Sequence, residues 1–208
     1  MAKTPAQRAA KHGGQATPPS AAAVNSSIQR TPTAPKSNAN MLLIAGAAAS
    51  LFLFWYLHVL TLNQMTDLSG GLSMPDSMVF GFDVAHIEAL RAAMDADANG
   101  QLQFVHKTAG MLFPLVFCIT SMTLVAINVA KKPLRWILWA FPILFAVASI
   151  WGNFAIDGML AAKTLDAGSV ALASALVVAS WFLLVISLVG LGMAWFLGRK
   201  RKTAPEAS

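Results

Sequence analysis

An all-α fold, with four membrane-crossing helices in one bundle, follows from three features of the sequence. Of 208 residues, 56% are hydrophobic and 12% charged, whereas charged residues make up about a quarter of an ordinary soluble chain. The apolar residues gather in four stretches, about 41–62, 105–129, 134–154 and 170–197, each holding the roughly 20 residues that span a hydrocarbon layer of about 30 Å. None alternates polar with apolar residues. Lipid offers no partner to backbone N–H and C=O groups, so each stretch must close its own hydrogen bonds as a helix.

Residues 1–40 are rich in Ala, Pro, Thr, Ser and Gln and lack aromatic side chains. Such a segment buries too little apolar surface to offset the entropy of ordering, and it is expected to be a disordered tail. The first crossing begins only at Met41 and is too long for a cleaved secretory signal, so it reads as a retained anchor. Gly46 and Ser50, four residues apart, mark a surface where another helix can approach closely. The fourth crossing carries the same kind of signal in Ala167, Ala171, Ala175 and Ala179. About 28 residues long, it should tilt or project beyond the bilayer.

Charge fixes the expected orientation, because basic flanks stay in the cytoplasm during insertion. The tail carries Lys3, Arg8, Lys11, Arg30 and Lys36 and no acid, whereas residues 63–107 carry six acids against Arg91 and Lys107. The turn after the second crossing has Lys131, Lys132 and Arg135; the next connection has Asp157 and Asp166 against Lys163; residues 199–208 form a basic tail. The sign alternates with every crossing. Both termini are therefore expected in the cytoplasm and two acidic connections outside a cell membrane, with anionic lipid of the inner leaflet drawn to the basic flanks. The net charge of +6 is thus positional, and no nucleic-acid partner is expected. Cys118, the single cysteine, excludes an intrachain disulfide framework and a cysteine-rich metal knuckle.

The connection 63–104 begins without periodicity, at Gly70, Gly71 and Pro75. From Asp83 the pattern changes. Asp83 can cap a helix, and Val84, Ile87, Leu90 and Met94 recur at spacings of three and four, predicting a short extracytoplasmic amphipathic helix that ends near Gly100. Gly81-Phe82-Asp83, Ile87, Leu90, Gly100, Phe104 and Phe113-Pro114 together resemble the outer-loop signature of a family of small four-helix bacterial membrane proteins of unassigned activity. The resemblance covers roughly residues 41–160 and implies an architecture rather than a chemistry. Where that family often places an acid one turn before Phe-Pro, this chain has Gly110; where it tends to place an acid and an amide in the third crossing, this chain has Trp151-Gly152-Asn153.

Candidate chemistry is sparse. Asp95-Ala96-Asp97-Ala98-Asn99-Gly100 imitates the start of a calcium loop, but the twelfth position is His106 instead of a bidentate carboxylate. His58 and His106 fall at similar depth near the outer ends of their helices. With each other they could hold a haem, and with His86, Asp95 or Asp97 a metal ion. Polar positions in the crossings are few: Asn128, Asn153 and Asp157 near the ends, and no ionisable residue near midplane, where a transport pathway would ordinarily need one. No catalytic constellation or cofactor motif is present. Most tryptophans fall toward helix ends, where an indole suits the membrane–water boundary. The reading that results is a non-enzymatic accessory or scaffold for other membrane proteins or for copies of itself. The alternatives are a small oligomeric transporter or channel, with water passing Asn153 and Asn128, and a haem- or metal-binding protein using His58 and His106.

Overall fold

Long apolar runs give long helices, continuous even through Pro114 and Pro142, and the computed structural model, which describes residues 38–203, consists of helices joined by short connections, with no strand among the described residues. The first helix, α1 (Ala39–Leu68), is followed by a 3₁₀ turn at Pro75–Ser77, then α2 (Val84–Ala93), α3 (Ala96–Lys107), α4 (Ala109–Asn128), α5 (Lys132–Ala161) and α6 (Ala167–Thr203). Four spans, Ala39–Leu68, Ala96–Asn128, Lys132–Ala161 and Ala167–Lys200, are long and apolar enough to cross a membrane. The chain is a multi-pass, four-helix bundle. The expected tail 1–40 falls almost wholly outside the described residues, as do the last five positions of the expected tail 199–208. Residues 199–203 are helical, and belong to α6.

Three elements depart from the sequence reading. The amphipathic stretch does not run unbroken to Gly100; Met94 and Asp95 are extended, and Asp95 caps a new helix by accepting from the Ala98 N–H at 2.8 Å. Gly100 therefore lies inside α3, which continues to Lys107 and bends into α4 at Thr108. The crossing expected from 105 is thus preceded by nine helical residues. Second, Trp55–Thr61 within α1 is a π-helix, an i→i+5 widening that composition does not announce. Third, Ala167, Ala171 and Ala175 face outward and Ala179 is half-buried; the buried stripe of α6 is Val170, Ala173 and Val177, one helical face away. Those positions pack against Ile87 of α2 and against Ile156 and Met159 of α5, so the alanine stripe lies off this interface.

Within the bundle α5 packs along α6 and α4, and α1 packs chiefly on α4. Gly46 permits that last approach, because a Cβ there would overlap the Thr120 hydroxyl; Ser50 is buried and donates to the Gly46 carbonyl at 2.8 Å. At the end of α4 Asn128 gives its amide N–H to the Leu124 carbonyl at 2.9 Å and lies against Gly198, where any side chain would collide with it. Arg135 donates to the Val129 carbonyl beyond the last turn of α4, as a cation suits a helix C-terminus.

The connection between α1 and α3 is folded onto the helix ends. Met74, Leu90, Met94 and Leu102 form a core with Leu62 and Met65 of α1, while Ile87 of α2 inserts beside Ile156, Val170 and Val177. Asp83 caps α2 by accepting from the His86 N–H at 2.9 Å. Gly81 has φ +87°, and its vacant Cβ position lies 2.5 Å from Ser174 Oγ, which accepts the Phe82 N–H at 2.9 Å. Gly81→Ala should therefore cost about 2 kcal/mol through a strained left-handed backbone and unseat this contact. Thermal unfolding in mild detergent would measure it, and an unchanged midpoint would refute it.

Candidate functional site

The helix ends beneath this connection gather ionisable side chains that are far apart in sequence. His106, from the last turn of α3, is 2% exposed. Its Nδ1 lies 2.5 Å from Asp157 Oδ1 on α5, and its Nε2 lies 3.0 Å from Asp76 Oδ2 on the 3₁₀ turn. An imidazolium, with an N–H on each nitrogen, donates to both carboxylates; a neutral ring would oppose a lone pair to one of them unless that acid held the proton. The turn carrying Asp76 is held a second time, because the Trp181 indole N–H of α6 donates to the Asp76 carbonyl at 2.9 Å. The cluster joins the connection to α3, α5 and α6 at one point.

His58 stands next to this cluster without joining it. It sits in the π segment of α1, its ring stacked on Phe54 at 4.7 Å and edge-on to Trp181 at 5.1 Å and Phe113 at 5.9 Å. Its Nδ1 makes no hydrogen bond of ordinary geometry, although the Phe54 carbonyl one turn back attracts it. A cavity of about 30 Å³ is lined by His58, Asp76, Gly110, Asn153 and Trp181, among others. Asn153 is 8% exposed, and its amide nitrogen has no partner. A Cβ at position 110 would come within 2.7 Å of that nitrogen. Gly110 thus makes room for the Asn153 amide.

Burial alone would raise the Asp76 carboxyl above the ordinary range; the charge of His106 and its hydrogen bond, with a smaller contribution from His58, outweigh this and hold it below. A depressed folded-state value stabilises the fold above the ordinary carboxylate value of about 4, and the stabilisation is lost as pH falls through the depressed value. The stability difference between the wild type and Asp76→Asn should therefore be constant from pH 7 to 5 and shrink below about pH 4. Paired denaturation curves in detergent test this, and a difference that grew on acidification would have the wrong sign.

No family model, curated protein or solved structure matches this chain. The site stands on its own geometry.

The other sequence candidates lie elsewhere. His86 Nε2 donates to the Ser73 carbonyl at 2.9 Å. Asp95 is a helix cap, and Asp97 is exposed in the first turn of α3, so the calcium-like run is helical rather than a ligand loop. Among the described residues no three His, Cys, Asp or Glu side chains are placed to share a metal ion. His58 and His106 both lie near Asp76. Both nitrogens of His106, however, are engaged by carboxylates, which leaves no lone pair aimed at an iron or a metal shared with His58. Asp76 and Trp181 were not singled out from sequence. Asp76 follows a proline in a stretch without periodicity, and Trp181 reads there as one more membrane-boundary indole although it is half-buried and bonded to the connection.

Proposed function

We propose that this chain is a non-enzymatic accessory or scaffold component of the cell membrane, with both termini in the cytoplasm and the acidic connection outside. Its partners are other membrane proteins or further copies of itself, and its basic flanks lie against anionic lipid. The observation that carries this reading is the double fastening of the connection, through Asp76–His106–Asp157 and through Trp181 to the Asp76 carbonyl. Three helices, α3, α5 and α6, and the connection converge on that fastening, which favours a fixed surface over a moving gate. Phe80, fully exposed at the tip beside the half-exposed Val79, offers that surface an aromatic anchor of the kind that dominates protein contacts.

A photo-crosslinking residue in place of Phe80 should give one discrete protein adduct in intact cells, and reporter fusions at both termini should read cytoplasmic. Absence of any adduct, or termini on opposite sides, would remove the reading. The transporter alternative draws support from the unpartnered Asn153 and its cavity. Solute flux in proteoliposomes that disappears in Asn153→Leu would establish it in place of the scaffold.

A further inference from the structure

Two polar atoms inside the bundle, Asn153 Nδ2 and His58 Nδ1, lack a hydrogen-bond partner, and both residues line the same cavity of about 30 Å³. A buried amide nitrogen is a donor, and leaving it unmatched is costly, so an acceptor oxygen belongs beside it. Across Phe113, Trp181 and Leu184, which line both spaces, runs a groove of about 450 Å³ between α1, α4 and α6. The surface it presents is apolar, although Ser50, Thr120 and Ser121 are among its lining residues, and Leu51, Val185 and Leu188 on its rim face outward, toward lipid. A groove of this kind suits an aliphatic tail, and the cavity, roomy enough for one or two water-sized groups, suits the carbonyl oxygen of the same molecule.

We infer that groove and cavity form one binding site for a single-tailed amphiphile taken from the lipid phase, whose head presents a carbonyl oxygen. The tail occupies the groove past Leu51 and Leu188, and the carbonyl oxygen accepts from Asn153, with the imidazole of His58 alongside. A quinone and an acyl ester share this chemistry. The ring that lines the groove from the α1 side is Phe54, 5.6 Å from Phe113 and 6.3 Å from Trp181. It precedes the π segment directly and comes from the crossing with the smallest buried share, so it is the ring free to yield. Widened helical turns of this sort recur beside functional sites. A water molecule could satisfy Asn153 by itself, but it would leave the groove without a role.

The test uses the full-length protein, purified in detergent and stripped of lipid, with bound probe counted by native mass spectrometry. The probes are a benzoquinone bearing a decyl chain and monodecanoylglycerol, with decane as the tail-only control. Saturable binding of either carbonyl probe is expected, weakened about tenfold by Asn153→Leu, the loss of one buried hydrogen bond. Leu188→Trp, on the outward rim and remote from the polar end, should weaken binding by blocking the groove while leaving the fold intact. Whichever probe binds more tightly identifies the source of the head group. Decane binding as well as the probes, neither probe saturating, or affinities unchanged in both variants would overturn the inference.

Discussion

Replacing His106 by alanine should lower the unfolding free energy by about 3–5 kcal/mol, the range for removing one partner of a buried ion pair. The substitution deletes the only side chain among the described residues that bonds both Asp76 and Asp157, and those carboxylates, about 15% exposed, would then face each other without a cation between them. The 3₁₀ turn at Pro75–Ser77 would lose its main attachment, and the Trp181 N–H would compete with a mobile carbonyl for its bond. Protease cleavage near Val79 should accelerate in the variant. Adding Asp76→Asn and Asp157→Asn to His106→Ala should restore much of the loss, because repulsion between two uncompensated charges is the largest part of it. Denaturant titration in mild detergent measures both effects. A His106→Ala protein as stable as the wild type would show that the cluster does not hold the connection down.

Phe113→Ala should cost about 3–5 kcal/mol, as large-to-small changes at buried aromatics do. Phe113 is the hub of the ring cluster, with centroids 5.6 Å from Phe54, 5.9 Å from His58, 6.1 Å from Phe117 and 5.8 Å from Phe145. Between helices in lipid there is little solvent-driven attraction, so tight packing of this kind must supply most of the association. Phe182→Ala is the control: the same deletion on the outward face of α6 should stay within about 0.5 kcal/mol. Equal losses in the two variants would mean that the ring cluster is no tighter than the lipid-facing surface.

The crossings were legible because an apolar run of membrane length has one stable conformation in lipid, and each observed span contains most of the corresponding predicted stretch. The cap at Asp83 and the stripe through Ile87 and Leu90 were legible for a similar reason: each is a local pattern with a local cause. The break at Met94 was not, because its cause is tertiary; Met94 is drawn into the core with Leu62 and Met74, and Asp95 can cap a second helix as readily as end the first. The alanine stripe misled because spacing alone does not say which face of a helix is covered. The site itself was the least legible part. His106 lies 30 residues from Asp76 and 51 from Asp157, so no window along the chain contains the cluster. One signal did exist: acids and histidines near the same ends of different crossings, in a chain with few of either, have each other as natural partners.

The π segment leaves α1 with two azimuths. Before it, Ser50 and the Gly46 backbone turn toward α4; beyond it, Leu62 and Met65 turn toward the folded connection. A uniform helix would hold these residues in fixed angular relation, whereas the wide turn inserts a phase slip between them. Excising a single residue from Trp55–Thr61 would leave a sound, fully apolar rod. The widened turn holds one residue more than α-helical winding needs, so the helix beyond the excision would keep its azimuth but move back along the axis by about 1.5 Å, drawing Leu62 and Met65 away from the connection they pack on.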